Sequence, residues 1–232
     1  MGTLSIVATP IGNLEDITLR ALQTLKECDV IYAEDTRVVA KLLARYEIKK
    51  PLQRLDAAME TKRAEQIIER LEAGGHVAFV SDAGTPGISD PGARLVARVR
   101  EHVKHSVLDK VLDKIRIEAI PGASALTAAL SIAGVDAAKF AFFGFLPHKK
   151  GRQTALKSIK ASEITVVLYE SPHRIEKLLK ELEALKISRV IIARELTKIH
   201  EEVISGTPGE LRIHFIDHPD TVRGEFVVIV TP

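Results

Sequence analysis

From Leu4 to Ile120, short apolar runs alternate with stretches whose apolar residues recur at helical spacing. This alternation limits the fold more than any other feature of the chain. Strands joined by helices must lie parallel, because each helix carries the backbone back to the end at which the next strand starts. The predicted strands are Leu4–Ala8, Val30–Ala33, a short extended piece near Leu52, Val77–Val80 and Ile115–Ile120. Between them, helices are predicted over Ile17–Glu27, Val38–Tyr46 and Lys62–Ala73, with Gly74-Gly75 as the stop of the third, and Pro91 opens a fourth. Open parallel sheets bind ligands at the carboxyl ends of their strands, so the loops that follow these runs are the places to look for a site.

The most informative loop is Ser81-Asp82-Ala83-Gly84-Thr85-Pro86-Gly87-Ile88-Ser89-Asp90-Pro91-Gly92, directly behind Val77–Val80. Three Gly and two Pro in twelve residues cannot sit inside a regular element. Either the loop holds a ligand with backbone amides and short polar side chains, or it is an unusually long connection. Pro121-Gly122-Ala123-Ser124-Ala125 ends the next strand in a similar way. Its small residues allow either close approach of a ligand to the backbone or simple packing at a helix start. Between these loops, Arg98–Lys114 carries many charges around a thin apolar stripe, which predicts a solvated helical extension.

After Gly134 the texture changes, with Phe140, Phe142, Phe143 and Phe145 close together. A second layer or domain is expected here, built from strand Ala141–Gly144, helix Thr154–Lys160, strand Thr165–Tyr169, helix Ile175–Leu185, strand Val190–Ala193 and extended segments near Val203 and Phe226. The expected architecture is two α/β domains, residues 1–121 with a mostly parallel sheet and residues 122–232 with a mixed one.

Composition excludes several classes. Lys and Arg exceed Asp and Glu by only 33 − 31 = 2, so nucleic-acid contact would have to be local. The single cysteine, Cys28, rules out an internal disulfide framework and a Cys-based zinc cluster, and fits a reducing cytoplasm. No histidines show metal-ligand spacing, so no metal is expected. No apolar run approaches the ~20 residues that span a bilayer, and no signal-peptide pattern opens the chain.

Four further clusters carry functional side-chain types. Glu34-Asp35-Thr36-Arg37 sets two carboxylates and a guanidinium at a strand end, as a polar site or as a helix cap. Tyr169-Glu170-Ser171-Pro172-His173-Arg174 does the same in the second half, where a lone His beside Pro is more often a cap or surface group than a catalyst. In Arg194-Glu195-Leu196-Thr197-Lys198 the cations could hold an anion while Glu195 orients one of them, or the cluster could be a salt-bridged edge. Gly144 to Arg152, with Phe145, Lys149, Lys150 and Arg152, reads as a phosphate-backbone grip or as a solvated charged face.

Taken in order, these segments, with Ala8-Thr9-Pro10-Ile11-Gly12-Asn13-Leu14 and Asp16-Ile17-Thr18, resemble the ribosomal RNA small subunit methyltransferase I group of the tetrapyrrole methylase (class III) superfamily. The resemblance spans nearly the whole chain. It implies two α/β domains with S-adenosyl-L-methionine held between them, a homodimer, a cytoplasmic setting, and 2′-O-methylation of a cytidine in the decoding region of 16S ribosomal RNA. By position it implies a donor site drawing on Pro10, on Ser81, Asp82, Ala83, Gly84, Thr85 and Pro86, on Pro121, Gly122, Ala123 and Ser124, and on backbone near Tyr169. On the RNA or small-subunit side it implies Asn13, Arg37, Arg174 and Lys198, joined by the basic Lys149, Lys150 and Arg152. Glu34, Asp35 and Glu195 are candidate bases for the ribose hydroxyl, and Arg37 and Lys198 candidate stabilisers of the developing oxyanion.

The chain departs from the family in three places. Asp56-Ala57-Ala58-Met59-Glu60 keeps only the Glu of a usual His and Asn-Glu pair, the Arg100–Lys114 connection is long, and the chain stops at Pro232 without the C-terminal segment of many members. Two alternatives remain open: a methyltransferase of the same superfamily acting on a tetrapyrrole or protein side chain, and a non-catalytic RNA-binding or ribosome-assembly module.

Overall fold

A computed structural model describes residues 1–56, 59–105 and 115–232. The chain divides into two compact units, Met1–Ser124 and Ala125–Pro232. Gly122, Ala123 and Ser124, assigned to the second domain from the sequence, therefore belong with the first unit.

In the first unit, strands β1 (Gly2–Val7), β2 (Val30–Ala33), β3 (Leu52–Arg54), β4 (His76–Val80) and β5 (Ile115–Ile120) form a five-stranded sheet in the order β3-β2-β4-β1-β5, with every pair parallel. Helices α1 (Leu19–Glu27), α2 (Thr36–Arg45), α3 (Glu60–Glu72) and α4 (Ala93–His105) follow the strands. Successive strand residues point to opposite faces, and both faces are covered. Ile31, Ala33, Ala78 and Val80 meet Ala21 and Leu25 of α1 and Val39, Leu42 and Leu43 of α2. The alternate residues Val30, Tyr32, Val77 and Phe79 meet Ile67 and Leu71 of α3 and Leu95 and Val99 of α4. Of the predicted extension over Arg98–Lys114, the part to His105 is helical, and residues 106–114 lie outside the described residues.

The strand order has a consequence for function. β1 and β4 are neighbours, yet the chain leaving β1 runs to β2 through α1 on one face, while the chain leaving β4 runs to β5 through α4 on the other. Two adjacent strands whose connections part in opposite directions leave a crevice at their carboxyl ends, where open α/β sheets bind ligands.

The second unit opens with α5 (Ala125–Ile132). Its mixed sheet has the order β6-β7-β10-β8-β9, from β6 (Phe140–Phe145), β7 (Thr165–Glu170), β8 (Val190–Arg194), β9 (Glu202–Gly206) and β10 (Phe226–Val230). β6 and β7 are parallel, and β10 runs antiparallel to both β7 and β8. Helices α6 (Arg152–Lys160), α7 (Ile175–Ala184) and α8 (Pro208–Asp217) bury Leu156, Leu178, Leu182, Leu211 and Phe215 against Val166, Leu168, Ile192 and Val228 of this sheet. α8 is not among the elements predicted from apolar spacing. Ile213 and Ile216 are each 54% exposed while Leu211 and Phe215 are buried, so its apolar residues do not mark one face. Its start was nonetheless written in the sequence: Thr207 accepts from the Glu210 amide, the Glu210 carboxylate accepts from the Thr207 amide at 2.8 Å, and Pro208 occupies the first turn.

Candidate active site

The carboxyl ends of β1, β2, β4 and β5 are stitched into one platform. Thr9 and Gly84 exchange both backbone hydrogen bonds, at 2.9 and 3.0 Å, which ties the loop after β4 to the loop after β1. The Thr9 hydroxyl donates to the Ser81 carbonyl at 3.0 Å, and the buried Ser81 hydroxyl donates to the Gly84 carbonyl at 2.8 Å. Gly84 adopts φ +84°, and a Cβ there would come 3.3 Å from Ile11 Cγ2, so this tight bridge needs glycine. Thr85 donates to the Ala123 carbonyl at 3.2 Å, and a Cβ on Gly122 would come 3.1 Å from the Ala8 Cβ, so the Pro121–Ser124 loop lies closely against the end of β1. Pro10 is buried beneath, while Pro121 and Gly122 are exposed. The residues expected at the donor site in the first unit are thus brought together.

β2 joins the platform through Asp82, whose Oδ1 accepts from the Asp35 amide at 2.9 Å. Glu34, the preceding residue, is half-buried, and its carboxylate has no hydrogen-bond partner among the described residues. Burial, followed by the nearby charges of Asp82 and Asp56, raises its pKa above the ordinary carboxylate value. Asp35 is different. It is the N-cap of α2, accepting from the Arg37 amide at 2.9 Å, and its carboxylate also grips the Arg37 guanidinium. That hydrogen bonding lowers its pKa to about 2. Asp35 is therefore a cap and a poor base, and Arg37, 87% exposed, has its charge matched by its near neighbour. Asn13 likewise caps a local turn, accepting from the Glu15 amide at 3.1 Å.

In the second unit the tyrosine hydroxyl of Tyr169 accepts the Leu126 amide at 3.1 Å, satisfying one of the orphan donors at the start of α5. Its ring packs edge-on against Phe142, with centroids 5.0 Å apart. Lys198 donates to Glu195 Oε1 at 2.7 Å, as the sequence suggested. Glu195 (φ +49°) and Thr197 (φ +66°) both hold left-handed conformations, costly for residues with a Cβ. A Cβ at Gly224 would fall 2.1 Å from Glu195 Oε1, so a side chain there would displace the carboxylate that meets Lys198. Lys198 remains 39% exposed, whereas Arg194 is buried and paired across the sheet with Glu202 at 2.7 Å.

Two assignments need correction. Arg152 and Arg174, expected to contact RNA, are tied into a buried network. Arg152 is 3% exposed; its Nε and Nη2 both donate to Glu181, and Nη1 donates to the Pro147 carbonyl at 3.2 Å. Arg174 Nε meets the fully buried Glu170 at 2.7 Å, while Nη1 donates to the Leu146 carbonyl at 2.9 Å. The two guanidiniums hold the Leu146-Pro147 turn in place and are unavailable as phosphate grips. Lys149 and Lys150, on the same loop, are exposed. His173 is exposed as well.

A further group was given no site role in the sequence reading. Glu60, only 3% exposed, accepts from the Gly92 amide, and with Glu34, Ser89, Asp90 and Arg94 it lines a cavity of about 520 Å³ beside the Ser81–Gly92 loop. In the sequence Glu60 stands out only as the one residue kept from the family's usual His and Asn-Glu pair.

The model of the tetrapyrrole (corrin/porphyrin) methylases matches residues 3–212. A Thermotoga maritima protein named ribosomal RNA small subunit methyltransferase I is 46% identical over 232 residues, covering 100% of this chain and 99% of its own length. A Neisseria meningitidis serogroup B protein of the same name is 44% identical, covering 100% of this chain and 76% of its own. The solved structure of uroporphyrin-III C-methyltransferase from Thermus thermophilus, complexed with S-adenosyl homocysteine, matches 99% of this chain and 97% of that one with a TM-score of 0.61 at 18% identity. The platform of strand-end loops and the two α/β units are those of a class III methyltransferase, and the chain belongs to the tetrapyrrole methylases and, within them, to the ribosomal RNA small subunit methyltransferase I family.

Proposed function

We propose that the protein is an S-adenosylmethionine-dependent methyltransferase that methylates the ribose 2′-hydroxyl of a cytidine in the decoding region of 16S ribosomal RNA. Family membership supports the reaction class and the RNA substrate. The observation that carries the residue assignment is the Asp82 contact to the Asp35 amide, because it sets the unpartnered Glu34 carboxylate beside the β1–β4 crevice.

The residues present fit the methyl donor. Its sulfonium and ammonium groups are cationic, and Asp82 offers them a carboxylate with one oxygen already fixed by the Asp35 amide. The exposed Pro121-Gly122 backbone and the glycine-dependent Gly84 bridge let a ligand approach main-chain atoms closely. S-adenosylmethionine bound there supplies an electrophilic methyl group on a positively charged sulfur. Glu34 takes the proton leaving the ribose hydroxyl as its oxygen forms the new bond to the methyl carbon and the carbon–sulfur bond breaks, its electron pair staying on sulfur; a raised pKa makes Glu34 a better base than an ordinary carboxylate. Lys198, oriented by Glu195, and the exposed Lys149 and Lys150 are the cations proposed to meet the RNA backbone.

A tetrapyrrole acceptor fits less well. Such macrocycles carry several carboxylates, and Glu34, Asp56, Asp82 and Asp90 make the β2–β4 side of the site acidic. The test is transfer of a labelled methyl group from S-adenosylmethionine to undermethylated small subunits, followed by alkaline hydrolysis. A 2′-O-methyl group blocks cleavage at its own ribose, so label is expected in an alkali-resistant dinucleotide. Donor binding without transfer to RNA would instead favour the non-catalytic module.

A further inference from the structure

We propose that the cavity beside the Ser89-Asp90-Pro91 turn receives the pyrimidine ring of the target nucleotide, with the Asp90 carboxylate accepting from the exocyclic amine that distinguishes cytosine from uracil and Arg94 donating to the ring carbonyl. The inference rests on the ribose-methylation reading above and adds the residues that choose the base. About 520 Å³ lies within the usual range of small-ligand sites, roughly 300–1,000 Å³. Its position is set by Glu34, which lines the cavity and is also the proposed base. A nucleoside with its ring in the cavity has its 2′-hydroxyl on the carbon next to the glycosidic one, so ring recognition and proton removal fall on the same wall.

The lining chemistry matches cytosine. A carboxylate accepts from the cytosine amine, whereas uracil presents a carbonyl at that position and would meet the carboxylate with a second acceptor. Arg94 is exposed and pairs with no carboxylate among the described residues, leaving its donors for the ring carbonyl. The wall is also built to hold its shape. Glu60, nearly fully buried, fixes the Gly92 amide, and Ser89 is held at φ +61°, a conformation costly for a residue with a Cβ. Phosphates are excluded from so acidic a pocket and must be met by the lysines elsewhere.

The experiment compares methyl transfer to a small-subunit RNA carrying the target cytidine with transfer to the same RNA carrying uridine there, for the wild type, D90N and R94M, with calorimetric titration of S-adenosylmethionine alongside. The wild type should prefer cytidine, and D90N should lower the cytidine-to-uridine ratio of kcat/KM by about 5- to 100-fold with donor affinity unchanged. R94M should raise KM for the RNA while leaving donor affinity intact. Undiminished preference in D90N, with R94M unaltered, overturns the pocket and leaves the methyltransferase reading standing. A wild type that binds the donor and methylates neither RNA overturns that reading, and the pocket with it.

Discussion

Substituting Arg152 by Ala separates the two roles that this residue could have. Arg152 is 3% exposed, donates from Nε and Nη2 to Glu181 at 2.9 and 2.7 Å, and lies 3.7 Å from Glu170 Oε2, an atom with no hydrogen-bond partner among the described residues. Glu170 itself is fully buried. Truncation leaves one carboxylate without its counter-charge and another sharing only Arg174. Breaking a buried pair in this one-sided way costs about 3–5 kcal/mol. For a chain of 150–250 residues each kcal/mol moves the melting midpoint by about 2–4 °C, so R152A should melt roughly 6–20 °C below the wild type. Circular dichroism melts at fixed pH measure this directly, and the paired variant R152M with Glu181→Leu should recover much of the loss because neither charge is then left alone. If R152A melts within about 2 °C of the wild type while RNA affinity falls, the guanidinium is a surface contact and the buried-network account is wrong.

Four other outcomes follow from the geometry. E34Q should lower kcat by about a hundredfold or more and remove the acidic limb of the pH–rate profile. Because folding raises the Glu34 pKa, the ionised carboxylate opposes folding; the same variant should melt slightly higher than the wild type at pH 8, with the difference vanishing as the pH drops below the ordinary glutamate value, as read by melts across that range. G84A should bind S-adenosylmethionine more weakly by calorimetry and lose about 1–2 kcal/mol of stability, since φ +84° strains any residue with a Cβ. Replacing both Lys149 and Lys150 by Ala should leave the melting point in place and reduce the salt slope of RNA binding by about 0.7 per lysine. Cys28, buried with its thiol pushed up to about 11, should resist iodoacetamide in the folded protein and label only on unfolding, which mass spectrometry reads.

The parallel half of the fold was legible because both faces of its sheet are covered at the centre, so β2 and β4 read as apolar runs, while the edge strands β3 and β5 carry Gln53, Arg54, Arg116 and Glu118. β2 is buried along its whole length, and α1 and α2 turn their apolar residues to one face of the sheet. The second unit was less open to that reading. α8 escaped because its exposed Ile213 and Ile216 blur the stripe, although Thr207, Pro208 and Glu210 announce its start by capping chemistry alone. In the sequence reading the first domain ends at residue 121, whereas the Thr85 bond to the Ala123 carbonyl fastens the Pro121–Ser124 loop to the first unit.

At the site, residue type was a good guide to where chemistry gathers and a poor guide to which group performs it. Glu34 and Asp35 are adjacent carboxylates at one strand end, equivalent in any sequence reading. Asp35 happens to cap α2 and holds Arg37, which drives its pKa to about 2, while Glu34 is half-buried among like charges and without a hydrogen-bond partner among the described residues. Arginines divide in the same way. Arg152 and Arg94 both stand in the first turn of a helix that follows a loop of functional composition, but Arg152 has Glu181 of α7 to neutralise it and Arg94 has no such partner among the described residues. A charge already matched by a buried neighbour would have to break that pairing to bind a ligand, at a cost of several kcal/mol. An unmatched one loses only its hydration. The partner is therefore the deciding variable, and because partners such as Glu170 and Glu181 come from distant strands and helices, sequence spacing cannot supply it.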